Sequence, residues 1–89
     1  MPTISTFFGI VIRMYFFDDQ QHKVPHIHAE YSGQQAVFDI ESGEILGGVI
    51  PKSKSRLVQA WIEIHRKELA ADWRLAVKGN AIFKIEPLK

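Results

Sequence analysis

The sequence predicts a small α+β fold, in which an antiparallel β-meander of three to four strands is followed by a long or kinked amphipathic helix packed on one sheet face. Two observations predict it. Short β-branched and aromatic runs alternate with turn-forming residues in the first half. Apolar residues then recur at helical spacing in the second half. With 89 residues, the chain fits one domain, so residues 1–89 are assigned to a single α+β domain.

Four runs have the composition of strands and are bounded by turn residues. They are Gly9–Phe17, His26–Tyr31, Ala36–Glu41 and Glu44–Ile50. Loops of a few residues between the last three predict an antiparallel meander. The Gly47-Gly48 pair predicts a bulge or a close approach of another segment.

The helix is predicted to begin near Ser53 and to end at Gly79-Asn80. Its apolar positions fill half of a helical wheel and comprise Leu57, Val58, Trp61, Ile62, His65, Leu69, Trp73 and Ala76. Such a helix is long for this domain, so a kink is expected at His65 to Lys67. We predict that both tryptophans are core residues. The segment Ala81 to Ile85 fits either a short strand or a docked arm.

Strand alternation divides the side chains between two faces of the sheet. An apolar set is expected beneath the helix: Ile10, Ile12, Met14, Phe16, Ile27, Ala29, Tyr31, Ala36, Phe38 and Ile40. The opposite, open face would then collect the ionisable groups Arg13, Tyr15, His26, His28, Glu30, Asp39 and Glu41. This open face is the predicted working surface.

The segment Pro25-His26-Ile27-His28 places two imidazoles on one face of a strand. Such a pair can share acid and base roles, ligate one metal ion or merely pair with nearby carboxylates. A metal site would need a third ligand from Glu30, Asp39 or His22, so no metal ligand is assigned. The candidate catalytic set is His26, His28, Arg13, Tyr15 and Glu30. His65 is predicted to be a satisfied core residue, although a broken helix could bring it to this pair.

Net charge is near +1, but basic residues concentrate along the predicted helix. The candidate nucleic-acid contacts are Lys52, Lys54, Arg56, Arg66 and Lys67. They either follow a phosphate backbone or form a solvated helix face, which Glu63 interrupts.

Several classes of protein are disfavoured by composition. The chain has no cysteine, which excludes disulfides and thiolate metal sites. It has no glycine-rich phosphate loop and no nucleophile elbow, and no cofactor is predicted. Its longest apolar run, Phe7 to Tyr15, contains Arg13 and is too short to span a bilayer. Without the pattern of a signal peptide, we expect a cytoplasmic protein with no membrane partner.

Several segments resemble a bacterial family known as domain of unknown function 4160. They are Met1–Ser5, Gly9–Tyr15, Pro25–Tyr31, Asp39–Glu44, Trp61–Leu69, Asp72-Trp73 and Ile85–Leu88. The resemblance covers nearly the whole chain and transfers no catalytic residues. It implies one half of a compact two-gene bacterial module, often beside a second small protein, domain of unknown function 2442.

Three functions follow as hypotheses, and they leave open whether the protein is an enzyme. The first is a protein-binding module that associates with a partner encoded nearby or with itself, in a toxin–antitoxin-like or regulatory complex. The second is an RNA-acting toxin or ribonuclease that uses the histidine pair and Arg13. The third is a metal-binding regulator.

Overall fold

The computed structural model describes residues 2–16 and 24–89. The chain forms five strands and one helix: β1 (Thr3–Phe7), β2 (Ile10–Arg13), β3 (His26–Tyr31), β4 (Gln34–Asp39), β5 (Ile45–Gly48) and α1 (Lys52–Ala76). The strands lie in sequence order and every neighbouring pair is antiparallel. The predicted α+β meander followed by one long helix is therefore confirmed.

Strand β1 was not among the predicted strands. Its pairing with β2 contains a register shift between Thr3 and Ser5, so Ile4 interrupts the regular alternation. Both Ile4 and Ser5 are buried, and this pattern hides the two-residue period of a strand. The predicted strand that begins at Gly9 corresponds to β2, and its last residue, Phe17, lies outside the described residues.

Two tight turns fix the hairpins. Phe8 and Gly9 connect β1 to β2, and Ser32 and Gly33 connect β3 to β4; all four have positive φ angles, between 50° and 83°. Two consecutive residues of positive φ give a turn whose twist matches that of the flanking strands. The two turns thereby set the register between β1 and β2 and between β3 and β4.

The glycine pair of β5 lies at a bulge, as predicted. The register with β4 shifts between Val37 and Phe38, which leaves an extra residue in β5. Gly48 has a φ of 75°, and a Cβ atom there would lie 2.3 Å from the carbonyl oxygen of Gln35. Only glycine permits this approach.

Helix α1 covers one face of the sheet and is bent at the predicted place. His65 has non-helical dihedral angles (φ −110°, ψ 22°), and the helix continues on both sides of it. The helix begins after Pro51 without a hydrogen bond from a capping side chain. It has no acidic residue in its first turn, which leaves the positive end of the helix dipole uncompensated.

The core lies between α1 and the predicted apolar face of the sheet. The buried residues of the sheet are Ile10 and Ile12 of β2, Ile27 and Ala29 of β3, and Ala36 and Phe38 of β4. Met14, which follows β2, and Ile40, which follows β4, are buried as well. The alternation is confirmed for these residues. Phe16 is an exception, because 43% of it is exposed. No helix within residues 2–16 and 24–89 combines the length and apolar character that crossing a bilayer requires.

The C-terminal residues 81–89 form a docked arm rather than a strand. The amide of Ile85 donates to the carbonyl of Ile4 in β1 at 2.8 Å. The indole Nε1 of the fully buried Trp61 donates to the carbonyl of Glu86, also at 2.8 Å. The arm is thus held by both the helix and the first strand.

Candidate functional site

Strands β2 and β3 bring four of the five candidate catalytic residues together on the open face. In their antiparallel register Arg13 lies directly across from His28. The Arg13 guanidinium forms an ion pair with the Glu30 carboxylate, two residues further along β3. Tyr15 contacts His28 edge to face, with ring centroids 4.5 Å apart. All four side chains are partly exposed.

His26 is placed differently from the prediction. It is adjacent to His28, with ring centroids 5.3 Å apart, but only 1% of it is exposed. Its other neighbour is Trp73 of α1, at 4.8 Å between ring centroids. The prediction that His26 lies on an open face is therefore wrong, because the second half of the bent helix brings Trp73 over the beginning of β3.

The geometry fixes how the imidazole of His26 is used. Its Nδ1 lies 2.8 Å from the carbonyl oxygen of Val24, and since a carbonyl can only accept, Nδ1 carries a proton. The ring is thus buried, oriented by the backbone and packed between His28 and Trp73. This arrangement suits a positioning group better than a group that reaches a substrate.

The remaining open-face carboxylates do not join the cluster. Oδ1 of Asp39 accepts hydrogen bonds from the amides of Glu41 and Ser42, at 2.7 and 3.3 Å, and so stabilises the turn after β4. Glu41 is exposed. No three His, Asp or Glu side chains converge to hold a metal ion within residues 2–16 and 24–89, and the predicted third ligand His22 lies outside these ranges.

The residues predicted as core aromatics are core. Trp61 is fully buried and contacts Phe7 edge to face at 5.3 Å. Trp73 is 8% exposed. The imidazole of His65 packs 5.6 Å from the Trp61 ring, and its Nδ1 is 2.6 Å from a carboxylate oxygen of Glu68. His65 is thus a satisfied residue at the bend.

The five basic residues proposed to contact nucleic acid do not form one track. Arg66 is committed to the protein, because it donates to both carboxylate oxygens of Glu63 and to the carbonyl of Ile40. The hydrogen bond to Glu63 raises the pKa of Arg66 and lowers the pKa of Glu63. The ammonium of Lys54 lies 4.9 Å above the Tyr31 ring of β3. Lys67 is exposed on the helix.

Lys52 and Arg56 instead line a groove beside β5 that sequence reasoning missed. The groove has a volume of about 360 Å³, and its apolar wall includes Ile45, Val49 and Ile50. Ile45 and Val49 are 42% and 64% exposed. The uncharged run Ile45 to Ile50 was a usable signal, because a strand with no charged residue at a sheet edge is unprotected.

A buried carboxyl on α1 was also missed. Asp72 is 2% exposed, and its Oδ1 accepts the amide of Phe83 from the C-terminal arm at 3.0 Å. Its Oδ2 is buried and has no hydrogen-bond partner. Burial raises the pKa of Asp72, and the negative charge of Glu68 adds to this, although the hydrogen bond from Phe83 opposes them.

Comparison with known proteins defines the family. The model of a family described as Domain of unknown function (DUF4160) matches residues 9–74, which include β2 to β5 and nearly all of α1. A search of the curated proteins and a search of the solved structures each found no match. Because the matched range covers most of the 89 residues, the chain belongs to the family Domain of unknown function (DUF4160).

Proposed function

We propose that the protein is a protein-binding module and that its docking surface is the free edge of β5. The observation that supports this most directly is the difference between the two edges of the sheet. At the β1 edge the C-terminal arm supplies a hydrogen bond from Ile85 to Ile4. Beyond β5 no further strand lies within the described part of the chain.

The side chains around this edge support docking. Ile45, Leu46 and Val49 are 42%, 37% and 64% exposed, and they are consecutive or nearly so along the chain. Edge strands normally carry charges, proline or a covering segment, which prevent pairing with other chains. The edge of β5 is short and contains a bulge, but no charged residue or proline lies between Ile45 and Val49. An exposed apolar edge of this kind suits the addition of a strand from another protein chain, in which backbone hydrogen bonds give affinity and apolar contacts give specificity.

The two-gene arrangement implied by the sequence resemblance supplies a natural source of such a chain. In a toxin–antitoxin-like or regulatory pair, one component covers a surface of the other. The β5 edge also lies inside the range that the family model matches, whereas β1 and the arm lie outside it. A docking surface in the shared part of the fold is what a family-wide binding role requires.

The test compares two positions of equal exposure. A photo-crosslinking amino acid is placed at Val49 beside β5, or at Ile64 on the outer side of α1, since both residues are 64% exposed. We expect the Val49 probe to give, in cells, a protein adduct of discrete mass whose linked residue maps to an extended segment. The Ile64 probe should give none. Equal yields at both positions, or no adduct at Val49, would refute the proposal.

A second candidate function is cleavage of RNA, and one observation favours it: Arg13, Tyr15, His28 and Glu30 meet on the open face. His28 would transfer a proton and Arg13, released from Glu30, would bind phosphate. The test is growth arrest on expression together with cleavage of a labelled RNA. Both should disappear in His28→Gln and persist in the control His65→Gln; activity retained in His28→Gln would remove this cluster from the mechanism.

A further inference from the structure

We propose that the occupant of the β5 edge is a second copy of this chain, and that Glu44 of each copy enters the groove formed by Lys52, Ser55 and Arg56 of the other. This inference rests on the proposed function, because it names the partner of the same edge. It is carried by the groove, by the charges at the two ends of β5 and by the symmetry of an antiparallel pair.

The groove is suited to an anion on one side and to apolar groups on the other. Lys52 and Arg56 line it beside the apolar residues Ile45 and Val49. Neither cation has an ion pair within residues 2–16 and 24–89. Both belong to the N-terminal end of α1, where the helix dipole is also positive and where no acidic residue or capping side chain compensates it. A carboxylate in the groove would neutralise this concentration of positive charge.

Ser55 adds a buried polar group to the same groove. It lines the same groove, is 6% exposed, and its hydroxyl has no hydrogen-bond partner. A buried hydroxyl without a partner is costly, whereas a carboxylate oxygen would accept its hydrogen bond. Gln59 also lines the groove, and its side-chain amide already donates to the carbonyl of Gly43 at 2.9 Å.

The chain itself carries the complementary carboxylate. Glu44 directly precedes β5, is exposed and has no ion pair among the described residues. Lys52 follows the other end of β5, four residues after Gly48. When two β5 edges pair antiparallel about a two-fold axis, the beginning of one strand lies beside the end of the other. Glu44 of each copy then approaches Lys52 and Arg56 of its partner, and the contact occurs twice.

The same pairing buries the exposed apolar residues. Ile45, Leu46 and Val49 of one copy face the equivalent residues of the other across the new strand pair. The two sheets become one continuous ten-stranded sheet, since each copy contributes five strands. The bulge between Ile45 and Gly47 and the close approach of Gly48 to Gln35 both concern the pairing of β5 with β4, on the side away from the free edge.

The experiment measures mass by light scattering across a concentration series of the purified protein. We expect a particle of twice the 10.2 kDa chain mass, which dissociates on dilution and more readily at high salt. Val49→Lys should abolish the dimer, and the equally exposed control Ile64→Lys should not. Glu44→Lys should weaken dimerisation at least about tenfold, because it sets like charges against each other at two symmetric contacts.

The decisive experiment exchanges the charges of the proposed contact between two variants. The variant Lys52→Glu/Arg56→Glu should also be monomeric. An equimolar mixture of it with Glu44→Lys should form heterodimers, because both contacts of the mixed pair join opposite charges. A monomeric wild type whose Val49 probe crosslinks to a different protein would overturn this inference and leave the proposed function standing. A dimer that survives Val49→Lys uses another surface and would overturn this inference, whereas the proposed function is overturned only when the Val49 probe gives no specific adduct. Loss with Val49→Lys but not with either charge variant would overturn the role of Glu44.

Discussion

The close approach at Gly48 gives a prediction whose magnitude follows from the structure. Alanine at this position would place its Cβ 2.3 Å from the Gln35 carbonyl oxygen and 3.0 Å from Ala36 Cα. Both neighbours are backbone atoms of β4, so they cannot move without moving the strand. The residue would also have to adopt a φ of 75°. Gly48→Ala therefore combines a steric cost with a conformational cost.

Two other glycines separate these costs. Gly33 has a φ of 83° and no atom within 4 Å of its added Cβ, so Gly33→Ala should lose roughly 1–2 kcal/mol from the conformation alone. Gly47 has an equally open environment and no positive φ, so Gly47→Ala should change stability by less than about 0.5 kcal/mol. Gly48→Ala adds an overpacking cost and should lose about 2–5 kcal/mol.

The assay is urea unfolding followed by tryptophan fluorescence, since Trp61 and Trp73 are both buried. The predicted loss is a large fraction of the roughly 5–15 kcal/mol by which small domains are stable. The expected order is Gly47→Ala, then Gly33→Ala, then Gly48→Ala. If Gly48→Ala and Gly33→Ala unfold at the same urea concentration, the close packing of β5 on β4 is refuted.

Three further predictions concern buried polar groups. Burial raises the pKa of Asp72 above the ordinary aspartate pKa of 3.8. The folded protein therefore loses stability as the pH rises from 3.8 through the raised pKa, because the buried carboxyl must then ionise. Asp72→Asn should therefore gain stability relative to wild type between pH 3.5 and 7 in urea melts, and a constant difference would contradict this. Trp61→Phe removes the hydrogen bond to Glu86 and should cost about 1–2 kcal/mol, with faster amide exchange in the C-terminal arm; unchanged exchange would argue against the docked arm. His26→Ala should cost about 2–4 kcal/mol in thermal unfolding, as expected for a fully buried ring, and a neutral result would place His26 in solvent.

The predicted stability cost of His26→Ala affects how the RNA hypothesis is tested. A double substitution of His26 and His28 would mix lost stability with lost chemistry, because His26 supports Trp73 in the core. His28 is only partly buried and can be changed with less damage. A loss of activity in His28→Gln, with an unchanged unfolding midpoint, is therefore the informative result.

Much of the fold could be predicted because its signals are local. The run His26–Tyr31 coincides with β3, and the helical period from Leu57 to Ala76 falls inside α1. Even the bend was predictable, because a helix of this length does not fit a domain this small. Strand β1 could not be predicted in the same way, since the irregularity between Thr3 and Ser5 depends on pairing with β2.

The site was predictable only where alternation alone decides it. Arg13, His28 and Glu30 lie within paired strands, and their common face follows from the two-residue period. His26 lies at the beginning of β3, and its contact with Trp73 depends on how the bent helix packs, which a wheel drawn for a straight helix does not indicate. Arg66 had the composition of a phosphate contact, but its bonds to Glu63 and Ile40 depend on the tertiary structure.

The bend at His65 also determines the outline of the molecule. A straight 25-residue helix would be about 37 Å long, whereas the Cα atoms span 33 Å along their longest axis. Because a straight helix would be longer than this dimension, the change of direction at His65 brings its two ends closer together. The second half of the bent helix also holds Trp73 against the ring of His26 in β3, which keeps water away from that imidazole.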